Sequence, residues 1–576
     1  MDRQAWIAVT LCALGLVGWQ IYMSSHAPVR ATAVGALASP SATATPADNP
    51  PAATSSIAAT STPAPAFAEQ IHALKNGDTE LRLTNRGGGI REVVLLNHLA
   101  EKQDRVVLNS ADRMPIGAIV EDPAAPELAE FSVTDEADGA VVLERATPER
   151  VNVRKRFSLP ATQQKKDNFV VEMDVDFRND GPQAFTRSNY FVALGAAAPI
   201  HPKDMPNYTR LAWALDGKSK GIDVSWFAAQ NYPFVGVQKR AAQEFYTEKF
   251  AAPGAEWAGM TNQFFATLVS PLSGKGGEVW AHRFDIRQPD GVPPLLGIEG
   301  ALGMPGFQLQ PGQTVTQKFQ IYAGPKLYGQ LSKLEHDEAE IMNFGMWKLV
   351  SQFLLNLMNW LYSFVGNYAI AILLLTAIIK GVLWPLQNKA NKSMRRMSSL
   401  APRMQELKEK YKDDPTKMNA EVMKLYKEHG VNPVGGCLPM MIQIPIFFGL
   451  LSMLGQAVEL RNAKFLWVHD LSQPDTVGFI PGLGFPINIL PLIMGATNVW
   501  LMRMTPKTGD STQQKVMMFM PLIFLFFCYN FAAALALYYA TQNLFTILQL
   551  YQNRKQPIPV LEKVPSGGKR SRKGRP

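Results

Sequence analysis

The sequence predicts an α-helical membrane protein with six transmembrane helices, a large all-β sandwich domain outside the bilayer and a helical hairpin in the cytoplasm. Long apolar runs lie at both ends of the chain, alternating apolar and polar residues fill the middle, and Lys and Arg concentrate in a few connecting segments. Of the 576 residues, 47% are hydrophobic and only 18% are charged, which is below the charged quarter typical of soluble domains. The three cysteines, Cys12, Cys437 and Cys528, lie inside apolar stretches, so we expect no disulfide framework.

Residues 1–23 are predicted to form an N-terminal transmembrane anchor, because the apolar run 5–23 is long enough to span a bilayer. A cleaved signal peptide is the alternative, since Ala31-Thr32-Ala33 resembles a cleavage site, but its apolar core is usually about 7 to 15 residues. Residues 24–66 are almost entirely Ala, Pro, Ser and Thr. Such a composition predicts a flexible linker.

Residues 67–326 are predicted to form one periplasmic β-sandwich domain. From Phe169 to Phe177, apolar residues alternate with mostly polar ones, and the run stops at the turn 179–182. The same alternation recurs from Val315 to Ile321. Short alternating segments punctuated by Gly and Pro favour an antiparallel sandwich.

The remaining chain is predicted to be a membrane-embedded core. Residues 333–352 mix acidic and large apolar residues, which favours an amphipathic helix at the membrane surface. Residues 357–552 form a five-helix core that includes a cytoplasmic helical hairpin at 386–432, and residues 553–576 form a basic cytoplasmic tail. The predicted spans of this core are 357–385, 436–458, 484–502, 516–531 and 533–550, the last two separated near Asn530.

The distribution of Lys and Arg predicts the orientation. The segment 386–435 carries eleven of them and the tail after residue 552 carries eight, so both are expected in the cytoplasm by the positive-inside rule. The loop 460–483, with only Arg461 and Lys464, falls outside. We therefore expect a multi-pass protein of the bacterial inner membrane with both termini in the cytoplasm and the β domain in the periplasm.

Lys380 is the first candidate functional residue, because it lies within an apolar helix. A cation at that depth costs about 2.5 to 3.5 kcal/mol, so it usually faces a polar cavity or a partner; snorkelling to the inner interface is the alternative. Thr376 lies one turn earlier in the same span, and other predicted spans contribute Gln443, Thr541 and Gln542 at comparable depth. Together these residues predict a hydrophilic groove that opens to the cytoplasm.

The cytoplasmic hairpin is predicted to present methionines, and seventeen of the 24 Met residues follow residue 340. Flexible thioethers suit contacts with many different apolar sequences, although the two apolar stripes packing on each other is the alternative. Asp414 and Pro415 predict the start of the second helix. The candidate methionines are Met394, Met397, Met404 and Met418.

The basic tail has three open interpretations: attraction to anionic lipids, contact with ribosomal RNA, and a plain topology signal. No arrangement of residues predicts catalysis or a metal site, since the eight His are scattered and lack ligand spacing. We therefore expect no enzyme activity. The charged tail residues are Lys569, Arg570, Arg572 and Lys573.

Several motifs occur in a familiar order after residue 333. They are Val431-Asn432-Pro433-Val434-Gly435-Gly436-Cys437, Gln443-Ile444-Pro445-Ile446-Phe447, Val458-Glu459-Leu460-Arg461, Leu466-Trp467-Val468-His469-Asp470 and Leu537-Tyr538-Tyr539. With Lys380 and the Met-rich hairpin, they resemble the membrane protein insertases of the YidC/Oxa/Alb family. The anchor helix and external β domain resemble the Gram-negative form.

This resemblance implies insertion and folding of integral membrane proteins, alone or with the Sec translocon, without a cofactor. Nascent membrane proteins, Sec components, and the ribosome through the tail and hairpin would be the partners. The resemblance also implies a β supersandwich similar to sugar-binding folds. Lys380 stands where the family usually has Arg, and Lys lacks the planar fork of Arg. The apolar residues implied to contact substrate are Ile444, Phe447, Phe527 and Tyr539.

Two other functions stay open from the residues alone. A secondary transporter would use Lys380 as an ion site, although no internal repeat is evident. A membrane-anchored carbohydrate enzyme would place its activity in the β domain, but a single anchor helix would suffice for that.

Overall fold

The computed structural model describes residues 67–100, 104–136, 139–160, 168–231, 238–289, 292–431, 434–482, 484–505 and 523–554. The predicted anchor 1–23, the linker 24–66 and nearly all of the tail 553–576 lie outside these residues. The described chain divides into two compact units. One unit holds the β domain up to Pro325 with residues 329–341, and the other holds residues 326–328 with the helical region from Met342 onward.

The β domain contains one four-stranded, one five-stranded and one nine-stranded antiparallel sheet, with strand orders β1-β2-β3-β4, β15-β18-β19-β10-β5 and β12-β11-β16-β17-β20-β9-β8-β7-β6. The five- and nine-stranded sheets pack through β10 and β19 on one side and β11, β16 and β17 on the other. The predicted β-sandwich is therefore confirmed. Its strands are β1 Ile71–Lys75, β2 Thr79–Thr84, β3 Gly89–Leu99, β4 Arg105–Leu108, β5 Ile119–Val120, β6 Ser132–Asp135, β7 Val141–Ala146, β8 Val151–Ser158, β9 Val170–Asn179, β10 Phe185–Ala197, β11 Arg210–Leu215, β12 Lys218–Asp223, β13 Gln230–Asn231, β14 Gln238–Arg240, β15 Phe245–Lys249, β16 Trp257–Thr261, β17 Phe265–Pro271, β18 Glu278–Ile286, β19 Leu295–Leu309 and β20 Thr314–Pro325.

The alternation predicted from Phe169 to Phe177 corresponds to β9. Met173, Val175 and Phe177 are buried, whereas Glu172 is exposed and the intervening aspartates are half-buried. Asn179 ends the strand, and its side-chain oxygen accepts the amide hydrogen of Gly181 at 3.0 Å. A strand with one apolar face buries that face and leaves the other to solvent.

The helical unit contains the region after Met342, and one short helix precedes it. Among the described helices, one is long and apolar enough by length and composition to cross a membrane, and two shorter apolar helices accompany it. The count of six spans stays a prediction, since the anchor and most of 516–531 lie outside the described residues. The helices are α1 Tyr328–Leu331, α2 Lys348–Val365, α3 Tyr368–Ser399, α4 Ala401–Lys410, α5 Pro415–Glu428, α6 Val434–Leu454, α7 Ile489–Met504 and α8 Ala533–Arg554.

Two predicted boundaries differ from the structure. The expected helix 333–352 is interrupted, because Asp337 and Asn343 adopt left-handed φ values of 52° and 42°; the amphipathic helix is instead α2. The expected span 357–385 is divided between α2 and α3. Gly366 ends α2 in the left-handed region, with φ of 63°, and the Asn367 side chain caps α3 by accepting two backbone amides.

The hairpin begins as a continuation of α3, which runs without a break to Ser399. Helices α4 and α5 then pack on each other, with Leu400, Met404 and Tyr426 in the buried cluster between them. The predicted start of α5 is confirmed: Asp414 accepts the amide of Lys417 at 3.0 Å, and Pro415 opens the helix. The alternative given for the hairpin methionines, that the two apolar stripes pack on each other, therefore describes this cluster.

An unpredicted β-hairpin precedes α7. Strands β21 Thr476–Phe479 and β22 Pro486–Asn488 pair antiparallel, so the predicted span 484–502 begins later, at Ile489. Residues 523–528 are helical, and a break at 529–532 separates them from α8. The predicted division near Asn530 falls within this break.

Candidate functional site

Lys380 lies on the inward face of α3 and is only 5% exposed. Its ammonium Nζ donates a hydrogen bond to the hydroxyl oxygen of Thr546 on α8 at 2.9 Å. Within the described part of the chain, no carboxylate lies close enough to form an ion pair with it. The charge is therefore held between two helices by a neutral oxygen.

The contact of Lys380 begins a row of polar contacts between α3 and α8, which we name the polar seam. One turn further along α3, the Gln549 amide donates to the Trp384 carbonyl at 3.1 Å and to Asn388 Oδ1 at 2.8 Å. The Asn553 amide donates to the same Asn388 oxygen at 2.9 Å. The seam comprises Lys380, Trp384, Asn388 and Arg395 on α3 with Thr546, Gln549 and Asn553 on α8, and Arg395 donates to the Asn553 carbonyl at 2.6 Å.

Helix α8 also forms polar contacts with two other helices. Gln443 of α6 donates to the Gln542 side-chain oxygen at 3.1 Å. Asn543 donates to Thr497 at 3.1 Å and to Asn498 at 3.0 Å on α7. Buried amides need such partners, because an unpaired one costs about 1–3 kcal/mol. Helix α8 therefore forms buried polar contacts with α3, α6 and α7.

An aromatic cluster lies one helical turn from this polar group. The ring of Phe447 on α6 meets that of Tyr539 on α8 edge to face, with centroids 5.5 Å apart. Phe524 closes the triangle at 5.9 Å from Phe447 and 5.2 Å from Tyr539. Phe447 follows Gln443 by four residues and Tyr539 precedes Gln542 by three. The aromatic cluster therefore lies one helical turn from the Gln443–Gln542 contact on both helices.

The predicted groove residues divide into two groups. Lys380, Gln443 and Gln542 take part in contacts between helices, as described above. Thr376 is fully buried, and its hydroxyl donates to the Ile372 carbonyl of its own helix at 2.7 Å; the Thr541 hydroxyl likewise donates to the Leu537 carbonyl at 2.7 Å. Among the contacts of the described residues, these two hydroxyls therefore bond their own helices and no other helix.

The surroundings of Lys380 differ from the expected open cavity. The side chain is buried rather than facing water, because α8 packs against α3 and supplies the Thr546 hydroxyl. Of the predicted substrate-contacting residues, Ile444 is exposed, Phe447 and Phe527 are half-buried, and Tyr539 is buried.

The predicted hairpin methionines are mostly covered. Met404 and Met418 are buried, Met397 packs against the α4–α5 cluster, and Met394 is half-buried. Met423, which was not among the predicted residues, is exposed. The tail residues Lys569, Arg570, Arg572 and Lys573 lie outside the described residues.

Sequence reasoning missed the α8 half of the seam. Gln542, Thr546, Gln549 and Asn553 recur at spacings of four, three and four, which places them on one helical face. This spacing could have found Thr546. The Trp384 contact, by contrast, uses a backbone carbonyl, and every residue has one, so the sequence does not indicate it.

Two family models match consecutive parts of the chain. The model described as YidC periplasmic domain matches residues 72–357. The model described as 60Kd inner membrane protein matches residues 360–558. Between them they cover both the β domain and the described helical unit.

Several similar proteins are described as membrane protein insertases. A "Membrane protein insertase YidC" of Nitratidesulfovibrio vulgaris (strain DP4) is 30% identical, over 95% of this chain and 98% of its own. Another, from Syntrophobacter fumaroxidans, is 40% identical over 52% of this chain and 53% of its own, so that alignment spans about half of either protein. A crystal structure titled as an active YidC insertase with its first transmembrane domain resolved is 19% identical, with a TM-score of 0.34, over 85% of this chain and 94% of its own. On the full-length relative and the two family models, the chain belongs to the YidC family of membrane protein insertases.

Proposed function

We propose that this chain inserts and folds integral membrane proteins, alone or with the Sec translocon, by offering the polar seam to passing polypeptide segments. The observation that carries the proposal is a buried ammonium whose described partner is a single neutral hydroxyl. Family membership favours this function over the transporter and the carbohydrate enzyme that the residues alone left open. The insertase belongs to a family of inner-membrane proteins with a periplasmic domain.

In this mechanism α3 and α8 separate along the seam and admit the polar or acidic flank of a nascent segment. The substrate's polar groups then replace Thr546 at Lys380, while its apolar residues pass the exposed side of Ile444 and the half-buried Phe447. The path over which polar groups cross hydrocarbon becomes shorter. Each unsatisfied backbone group would otherwise cost several kcal/mol there.

The proposed topology has six spans, with both termini and the α4–α5 hairpin in the cytoplasm. It is supported by the eleven Lys and Arg residues between 386 and 435 and the eight after 552. Exposed Met423 on α5 offers an apolar contact for an emerging segment. The basic tail would attract anionic lipids or the ribosome, and salt would weaken either contact.

The test compares Lys380→Ala, Lys380→Met and Lys380→Arg in an insertion assay with reconstituted vesicles and a stalled or released nascent membrane protein. We expect the Ala and Met variants to lose most of the insertion rate and the Arg variant to keep it, because Arg preserves the charge. Lys424→Ala, at an exposed Lys on α5, serves as a matched control for removing one Lys. Equal activity in all the variants would remove the charge from the mechanism.

A second variant separates the charge from its holding contact. Thr546→Val removes the acceptor hydroxyl with nearly the same shape and leaves the ammonium in place. We expect insertion to persist in this variant, since substrate groups would replace the hydroxyl. Loss of insertion in Thr546→Val with normal membrane levels would mean that the closed contact itself is required.

A further inference from the structure

The β21–β22 hairpin presents apolar side chains outward. Val477 is 51% and Phe479 is 58% exposed, and Ile480 and Phe485 are exposed too. From residue 476 to residue 502 the sequence contains no Asp, Glu, Lys or Arg. A loop that projects into water usually has the opposite arrangement, with polar residues at its tip.

The polar groups of the hairpin point inward at its base. The buried Asn488 side chain accepts the Thr476 hydroxyl at 2.7 Å and donates to the Tyr529 carbonyl at 2.8 Å. Buried Asp475 accepts the Leu490 amide at 2.6 Å, at the start of α7. The ring of Phe485 stacks on that of Tyr529 with centroids 5.1 Å apart. These contacts fix the base of the hairpin to the start of α7 and to the break at 529–532.

The length of α7 indicates what covers this tip. Its 16 residues rise about 1.5 Å each, and the resulting length of about 24 Å is shorter than a hydrocarbon core of about 30 Å. Exposed Leu492 and Ile493 form the apolar surface at its first turn. The exposed hairpin residues directly precede this helix in the chain, and in a member of a membrane-protein family a charge-free apolar surface of this kind fits lipid.

We propose that the β21–β22 hairpin is an interfacial anchor whose tip is inserted among the lipid headgroups and upper acyl chains at the N-terminal end of α7. Pairing of Gly478 with Ile487 and of Phe479 with Pro486 satisfies part of its backbone. Gly482 and Gly484 adopt left-handed φ of 80° and 61° in the turn. The remaining amides reach headgroup water, which limits the depth to the interface.

The anchor would hold the N-terminal end of α7 at a fixed depth in the membrane. The inference rests on a membrane location and needs no insertion activity. Its failure is therefore distinguishable from failure of the proposed insertase mechanism, because depth is measured without a substrate.

The test uses the full chain with Cys12, Cys437 and Cys528 replaced by Ala and a nitroxide attached to Phe479→Cys. In phosphatidylcholine–phosphatidylglycerol vesicles, collision rates with oxygen and with a water-soluble nickel chelate report lipid and water contact. Lys218→Cys, at the exposed first residue of β12, is the water reference, and Phe526→Cys, at a highly exposed apolar residue, is the lipid reference. We expect the oxygen-to-nickel ratio at 479 to exceed that at 218 several-fold and to approach that at 526.

A label on Val477→Cys repeats the measurement, so the inference does not depend on one variant folding. A nickel collision rate at both positions equal to that at 218 would mean that the hairpin faces water and would overturn the proposal. Protection from both reagents would also overturn it, since a protein partner rather than lipid would then cover the tip.

Discussion

Replacing Lys155 with Met should destabilise the β domain. Lys155 on β8 is fully buried, and its ammonium donates to the carbonyls of Gly87, Gly88 and Gly117 at 3.0, 2.7 and 3.1 Å. It also lies 4.9 Å from the centroid of the Phe131 ring. Met would leave three buried carbonyls without this donor, at about 1–3 kcal/mol each, while sparing the desolvation of a charge. We expect a net loss of about 2–4 kcal/mol at neutral pH.

The loss should grow with pH. Burial lowers the pKa of Lys155 from 10.5 to about 7. Between these values the unfolded chain binds a proton that the folded chain releases, so the stability of the native protein rises with pH. The rise is at most about 1.4 kcal/mol per pH unit. The Met variant lacks this group, and the difference between native and variant should widen by about 2–3 kcal/mol from pH 7 to pH 9.

Pulse proteolysis in urea measures this difference on the full chain in detergent, with the surviving β domain quantified by gel. With a slope of about 1–3 kcal/mol per molar urea, a loss of about 3 kcal/mol lowers the midpoint by about 1–3 M. Lys218→Met, at an exposed Lys in the same domain, is the control. Unchanged midpoints, or a difference between native and variant that does not vary from pH 7 to pH 9, would refute the reasoning.

Three smaller changes test other elements. Gly366→Val should destabilise the junction of α2 and α3 by about 1–2 kcal/mol, because its φ of 63° is left-handed; hydrogen exchange of the flanking amides should quicken. Asp414→Ala should destabilise α5 by about 1 kcal/mol by removing the cap on the Lys417 amide, whereas Asp414→Asn should change exchange there little. Asn388→Leu and Gln549→Leu should show a coupling energy of about 0.5–2 kcal/mol in a double-mutant cycle of thermal stability. If the two stability changes simply add, the two side chains do not interact.

The β domain could be predicted because its signal is local. The alternation in β9 follows from one buried face and is readable over ten residues. Lys155 could not be predicted as buried, because the carbonyls that accept its hydrogen bonds lie 38 to 68 residues away along the chain. Such partners are set by how strands come together.

The candidate site was predicted in part. A charge in an apolar helix identified Lys380, and amides in apolar helices identified Gln443 and Gln542. Thr546 was missed because a hydroxyl residue within an apolar helix is common and usually bonds its own backbone. The β21–β22 hairpin was missed because a charge-free run from 476 to 502 has the composition of a membrane helix.

Under the proposed mechanism, the neutral acceptor described for Lys380 suits an insertase on energetic grounds. Burying the Lys380 charge costs about 2.5–3.5 kcal/mol, and one hydrogen bond to the Thr546 hydroxyl returns about 1.5–3 kcal/mol. The contact is therefore close to balanced, and a polar group of a substrate can replace the hydroxyl without an added desolvation cost. A carboxylate partner within the bundle would hold the ammonium far more tightly, since breaking such a buried pair costs about 3–5 kcal/mol. Substrates would then have to overcome that pair, and weak, reversible contact with many sequences would be lost.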